Sequence, residues 1–239
     1  MLSSTASPAH RRPVVELRDA TVAFDGHIAL RGIDLDVVSG EVLAVVGANG
    51  SGKSTLVAVA AGLLSPTSGT AHREPGIRVS LVPQTSNDGA LLPLTVSDLV
   101  AMGRWRERGA FLPLRRSDRA RIADAIETVG LTSLARRPLG LLSGGQRQRA
   151  RIAQALAQEA DLLLLDEPMS GLDAASREAV ASALAVAARA GAAVVAVTHD
   201  LAELGEVDAI CRLVDGRVVE GSPAAPRGRG RGTGATVRA

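Results

Sequence analysis

The stretch "EVLAVVGANGSGKSTLVAVAA", residues 41–61, decides the fold. It opens as an apolar strand, "EVLAVVG", and closes as a helix from about Lys53 to Gly62. Between them lies "GANGSGKS", a full match to G-x-x-x-x-G-K-[ST] in the strand-to-helix setting this pattern requires. Gly47, Gly50 and Gly52 let backbone N–H groups curl around phosphate oxygens, with Ala48, Asn49 and Ser51 between them and Thr55 just beyond. Lys53 is placed to bridge the β and γ phosphates of a nucleoside triphosphate, and the Ser54 hydroxyl to ligate Mg²⁺. Lys53 is also the chain's only lysine; arginine serves everywhere else. A compact ammonium fits where a flat guanidinium does not.

A second stretch, "ADLLLLDEP", is apolar up to its acids, as expected of a strand buried on both faces. Asp166 ends it and is placed to hold Mg²⁺ through water. Glu167 follows. Adjacent strand residues point opposite ways, but at a strand end the second can turn toward the nucleotide, so Glu167 is assigned as general base toward the attacking water. His199 ends "VVAVTHD", where it can hydrogen-bond the γ-phosphate and hold Glu167 and water in place; the alternative is a purely structural histidine. Gln84 ends "IRVSLVPQ", and its amide is placed to sense Mg²⁺ and the same water. The expected catalytic set is thus Glu167, His199, Gln84 and Lys53. Phe24 is one of three aromatics, with Trp105 and Phe111. It lies ahead of the glycine loop and either stacks on adenine or packs in the core.

"LLSGGQRQRAR", residues 141–151, adds a second anion cradle. Ser143 reads as an N-cap, followed by Gly144, Gly145, Gln146 and a helix bearing arginines. One nucleotide site already has its lysine, metal ligands and base. A second helix tip makes sense if it faces the ATP of another copy. Two chains placed head to tail would sandwich two nucleotides, each γ-phosphate lying between one Lys53 and the partner copy's serine–glycine tip. Charge-assisted hydrogen bonds would make closure depend on the γ-phosphate.

The 239 residues suit one globular domain or a core with a lobe. "VVELRDATVAFDG" and "IDLDVVSGEVLAVVG" alternate apolar and polar residues, as antiparallel strands do. Residues 95–135 read as mostly helical with a linker, "RWRERGAFLPLRR", inside. A helix from about Asp173 to Ala190 leads into the strand "AAVVAVTH", and "AICRLVDG" and "RVVEG" are short closing strands. This alternation implies a parallel sheet flanked by helices. A leader over 1–13 and an arginine–glycine tail over 222–239 read as disordered. The net charge of +2 is uneven: the ends are basic and the body acidic, so the charge gives little support for a nucleic-acid face. The single cysteine, Cys211, excludes an internal disulfide. The most apolar stretch, "AVASALAVAARAGAAVVAVTH", is broken by Arg189 and Gly191, so a membrane role requires a partner chain.

Over about Val14 to Glu220 the sequence resembles the ATP-binding cassette family. The residues that carry the resemblance are, in order, Phe24, "GANGSGKST", Gln84, "LSGGQRQR", "LLLLDEP", "SGLD" and "VTHD". It implies an α/β P-loop NTPase of the cassette type, with a mixed sheet, an antiparallel β subdomain and a helical lobe inserted at about 88–158 of an ATPase domain 14–221. It also implies that Asp173, in "SGLD", lies at a dimer interface. Two positions depart from the family: Phe24 where tyrosine is commoner, and Gly171 where alanine is usual.

"LPLTVSDLVAMGRW" and "RPLGLLSGGQRQRARIAQALAQEADLLLLDEPMSGLD" look like importers of zinc or manganese; siderophore and cobalamin importers are the nearest rivals. The resemblance then implies an ATP- and Mg²⁺-dependent subunit on the cytoplasmic face of a bacterial plasma membrane. It would form a homodimer with ATP, bind two permease subunits, and work indirectly with a solute-binding protein, with no specific nucleic acid. Trp105 and Phe111 would meet the permease, or else pack in the core. The rival from another class is a soluble cassette ATPase acting on DNA or ribosomes. The DNA-repair type needs a long coiled coil, which is missing, and the translation type usually joins two cassettes.

Overall fold

The structure, a computed structural model, describes residues 12–84, 94–109 and 112–221. Strands β1 (Pro13–Phe24) and β2 (His27–Val38) form an antiparallel hairpin. Its turn is Asp25–Gly26, with φ of 44° and 84°. A two-residue hairpin turn needs both central residues left-handed, which Asp-Gly supplies at little cost. After β3 (Val42–Val46) and helix α1 (Lys53–Ala61), strand β4 (Ser68–Arg73) pairs with the other edge of β1, giving the order β2-β1-β4.

The second sheet adds β5 (Val79–Val82), β6 (Leu162–Asp166), β7 (Ala193–Thr198), β8 (Ala209–Val214) and β9 (Arg217–Glu220) to β3. Its order is β5-β6-β7-β3-β8-β9; only the β8–β9 pair is antiparallel. The mixed sheet with an antiparallel subdomain therefore matches the sequence expectation. Along β6, Leu162 and Leu164 enter a core shared with α1 and the antiparallel sheet, while Leu163 and Leu165 enter the other core. All four are at most 2% exposed, so each contributes roughly 1.5–3 kcal/mol of burial. A strand buried on both faces holds its C-terminal acids rigidly.

Helices α2 (Val96–Met102), α3 (Trp105–Arg108), α4 (Arg116–Thr128) and α5 (Gly144–Ala157) make up the lobe; α6 (Ala174–Arg189) flanks the sheet. Arg104 pins the lobe together and is fully buried. Its Nε donates to Asp118 Oδ1 at 3.2 Å, and its Nη1 to Ala157 O at 2.8 Å and Glu159 Oε2 at 3.4 Å. Next to it, a Cβ on Gly103 would lie 2.4 Å from Gln154 O, so only glycine lets α2 approach α5 this closely.

Three details differ from the sequence expectations. Strand β4 went unseen because "SGTAHR" is polar; it is an exposed edge held by backbone pairing to β1. The linker after Gly103 contains a helical turn, α3. Pro13, expected in the leader, already opens β1, tethered by Arg12 N donating to Ser39 Oγ at 3.2 Å. The rest of the leader, Phe111 and the tail over 222–239 lie outside the described residues. Among the described residues, no helix is long and apolar enough to cross a membrane.

Candidate functional site

The ends of β3, β5, β6 and β7 meet the β1–β2 hairpin in a cleft of about 840 Å³. Phe24, Gly47, Ala48, Asn49, Gly50, Gly52, Lys53, Ser54, Thr55, Gln84, Asp166, Glu167 and His199 line it. One cleft thus gathers the expected loop, both acids, the histidine and the glutamine. His27 and Ala29 line it as well; the sequence reading did not single them out.

The loop is shaped for anions. A Cβ at Gly47 would fall 2.4 Å from Leu213 O, and one at Gly52 would fall 2.5 Å from Ala29 O. Gly52 caps α1 in a left-handed conformation at φ 104°, with no side-chain cap and no acid in the first turn. By contrast α2, α5 and α6 are capped by the side chains of Thr95, Ser143 and Asp173. The N–H groups at the start of α1 therefore face the cleft, where phosphate oxygens would satisfy them. Lys53 is only 7% exposed, and its Nζ donates to Gly47 O and Ala48 O, both at 2.8 Å. The loop carbonyls hold the ammonium inside the cradle. Ser51 lies beneath the loop, its Oγ buried without a hydrogen-bond partner.

Asp166 and Ser54 stand together: Ser54 Oγ donates to Asp166 Oδ2 at 3.5 Å. Burial pushes the Asp166 carboxyl above its usual range, and the neighbouring Glu167 charge adds to this; Ser54 and Lys53 partly offset it. A divalent cation at this point would relieve that penalty. A hydroxyl and a carboxylate suit Mg²⁺, which keeps several waters and shares phosphate oxygens. No group of three or more His, Cys, Asp or Glu side chains among the described residues could hold a metal ion alone. A cation here would draw its remaining oxygens from phosphate, water or the Gln84 amide.

Glu167 solves the strand-end problem by its backbone. Its φ is 49°, left-handed and rare for a residue with a side chain. The turn brings Glu167 into the same cleft as Asp166 instead of onto the opposite face. Its N–H stays paired to Val197 O at 3.0 Å. Gln84 Nε2 donates to Glu167 Oε2 at 2.7 Å, which fixes the carboxylate from the neighbouring strand. His199 is the first residue beyond β7 and is exposed to the cleft. Phe24 is 47% exposed at the cleft rim, so it is not a core residue.

Ser143, Gly144, Gly145, Gln146 and Asp173 do not line this cleft. Ser143 caps α5 with a reciprocal box: its Oγ accepts from Gln146 N at 3.2 Å, and Gln146 Oε1 accepts from Ser143 N at 3.0 Å. Asp173 caps α6, accepting from Ser176 N at 2.7 Å, and that bond lowers its carboxyl pKa. The two caps adjoin, since a Cβ on Gly145 would meet Leu172 Cδ2 at 3.1 Å and Gly171 O at 3.5 Å. They form a second surface, apart from the cleft. Trp105 is 42% exposed on the lobe.

Comparison with known proteins places the chain in a family. A family model described as "ABC transporter" matches residues 30–170. The zinc import ATP-binding protein ZnuC of Chelativorans sp. (strain BNC1) is 40% identical over 189 residues, covering 79% of this chain and 63% of that protein. The manganese transport system ATP-binding protein MntB of Bacillus subtilis (strain 168) is 36% identical, covering 78% of this chain and 77% of the relative. The dimeric structure of MJ0796, a bacterial ABC transporter cassette, superposes with a TM-score of 0.73 at 26% identity, over 87% of this chain and 98% of that one.

Proposed function

The chain belongs to the ABC transporter family, and from that premise we propose that it is the ATP-hydrolysing subunit of a membrane importer for zinc or manganese. The observation that carries the ATPase reading is the convergence of phosphate loop, Asp166, Glu167, Gln84 and His199 on one cleft. The cargo reading rests on the zinc and manganese systems among the relatives.

In this reading the loop N–H groups and Lys53 bind the triphosphate. Ser54 and Asp166 would hold Mg²⁺, joined by Gln84, which lines the same cleft. Mg²⁺, when bound, neutralises phosphate charge. Glu167, held by Gln84, takes the proton of the attacking water. His199 donates to the γ-phosphate and keeps that water aligned. Phe24 offers its exposed ring to adenine. A general base of this kind contributes about 10²–10⁴ in rate.

The second surface completes the site in trans. Ser143, Gly144, Gly145 and Gln146 of one copy close on the nucleotide of the other, and Asp173 lies at that interface. The position of the two caps on one adjoining surface outside the cleft supports this. The homodimer sits on the cytoplasmic face of the bacterial plasma membrane and binds two permease subunits, with exposed Trp105 in that contact. A solute-binding protein delivers the metal; no nucleic acid is a specific partner.

The test is Glu167→Gln purified with ATP and Mg²⁺. Size exclusion should show a stable dimer that reverts to monomer in Glu167→Gln/Ser143→Arg. A monomer under both conditions, or full hydrolysis by Ser143→Arg, sinks the shared-site mechanism. Loss of growth under zinc or manganese limitation on deletion assigns the cargo; failure of iron-chelate uptake instead overturns it.

A further inference from the structure

His27 lies in the cleft without a role in the mechanism above. It faces Phe24 directly across the Asp25–Gly26 turn. Residues paired across two strands stand on one face of the sheet, so the imidazole and the phenyl ring flank each other. Both are exposed on the cleft side.

Strand β2 fixes how far the imidazole sits from the phosphate loop. Ala29 also lines the cleft, and its carbonyl lies 2.5 Å from where a Cβ on Gly52 would be. Residues i and i+2 of a strand share a face. At about 3.3 Å per residue, His27 stands roughly 7 Å beyond that contact. The imidazole therefore stands at the hairpin tip beside the Phe24 ring, on the strand whose Ala29 touches the loop that cradles phosphates. In a nucleoside triphosphate the sugar joins the phosphates to the base, so a base on Phe24 and phosphates in the loop would carry it past this wall of the cleft. A neutral imidazole carries one donor and one acceptor, and a sugar hydroxyl can meet either.

We propose that His27 is a specificity-determining residue that hydrogen-bonds a ribose hydroxyl of the bound nucleotide. This rests on the nucleotide reading of the cleft. It makes the hairpin a two-part grip on the nucleoside: Phe24 for the base and His27 for the sugar.

The experiment is an equilibrium titration of the full chain with ATP, 2′,3′-dideoxy-ATP and inorganic tripolyphosphate, each with Mg²⁺. The wild type should prefer ATP over the dideoxy nucleotide by about fivefold, the size of one net hydrogen bond. His27→Ala should bind ATP about fivefold more weakly, lose the preference between the two nucleotides, and bind tripolyphosphate unchanged. His27→Gln, which keeps a donor and an acceptor, should retain part of the preference. Lys53→Ala should weaken all three ligands. If His27→Ala keeps the sugar preference, or loses tripolyphosphate in parallel with ATP, the assignment fails while the nucleotide reading survives. A wild-type chain that binds neither nucleotide ends both.

Discussion

Gln84 Nε2 and Glu167 Oε2 are joined at 2.7 Å, an amide from the end of β5 bonded to a carboxylate from the end of β6. The two strands pair in parallel register from Val79↔Leu162 to Val82↔Leu165, so the side chains leave the sheet from neighbouring ends. The bond orients the proposed base before any water gives up its proton.

Replacing Gln84 by Ala removes this bond. A hydrogen bond to a charged group is worth about 1.5–3 kcal/mol, which corresponds to roughly 10- to 150-fold in rate. Phosphate release by Gln84→Ala should fall by that factor, with ATP affinity changed by less than about threefold. An unchanged turnover number would remove Gln84 from the positioning of Glu167.

Arg104 sits at the lobe's centre with Asp118, whose side chain is 3% exposed. Arg104→Met removes the guanidinium bonded to that buried carboxylate, at a cost of about 3–5 kcal/mol. Urea unfolding should show this loss. Arg104→Met/Asp118→Leu should recover much of it, because an apolar pair of similar volume is often as stable as the ion pair. If the double variant is as unstable as the single one, the lobe depends on the pair's other bonds: Arg104 to Ala157 and Glu159, and Asp118 to the Arg115 N–H at the start of α4.

The Arg78 guanidinium holds the Asp161 carboxyl below the usual carboxylate range, helped by the Arg78 backbone N–H. A carboxyl whose folded pKa is depressed stabilises the fold above its unfolded value, near about 3.9, and loses that contribution as pH falls through the folded value. Both side chains are about two-fifths exposed, so solvent screening limits the contribution to less than about 1 kcal/mol. The melting temperatures of the wild type and Asp161→Asn should differ at pH 7 and converge below about pH 4. A gap that persists undiminished to pH 2.5 would show that the pair is not its source.

Burial pushes the Cys211 thiol up to about 11, and the residue is fully buried in β8 between β3 and β9. The thiolate is the reactive form. Iodoacetamide at pH 8 should therefore label the folded protein far more slowly than the urea-unfolded chain, with mass spectrometry as the readout. Equal rates would mean that β8 opens readily in the native state.

The site was legible wherever its chemistry is local in sequence. Glycine spacing, the acids after four leucines, and the serine–glycine cap each depend on residues within one turn of chain. His27 was missed because its place depends on the partner strand: nothing in "FDGHIAL" says that His27 shares a face with Phe24 until the hairpin is paired. Arg104 was missed for a related reason. It is one arginine among many, and its partners Asp118 and Glu159 become neighbours only when α4 and α5 pack. Charged residues are rarely buried unless paired, and that pairing is not written in the local sequence. Strand β4 escaped because edge strands draw on backbone bonds more than on apolar alternation.

The pairing of β3 sets the order in which a growing chain can mature. Its two sheet neighbours are β7 and β8, with Val42 opposite Val194 and Leu43 opposite Ala209. While the ribosome is still making the lobe, the strand that carries the glycine loop has neither flank. The β2-β1-β4 sheet is encoded entirely within residues 13–73 and can assemble early. Bringing such distant partners together is slow, because the loop entropy must be met before the contacts repay it. The nascent protein must therefore shield five apolar residues, Val42 to Val46, until translation is nearly finished. A shortened transcript would yield a polypeptide that retains the phosphate-binding motif in its sequence, cannot close the sheet around it, and is prone to aggregate.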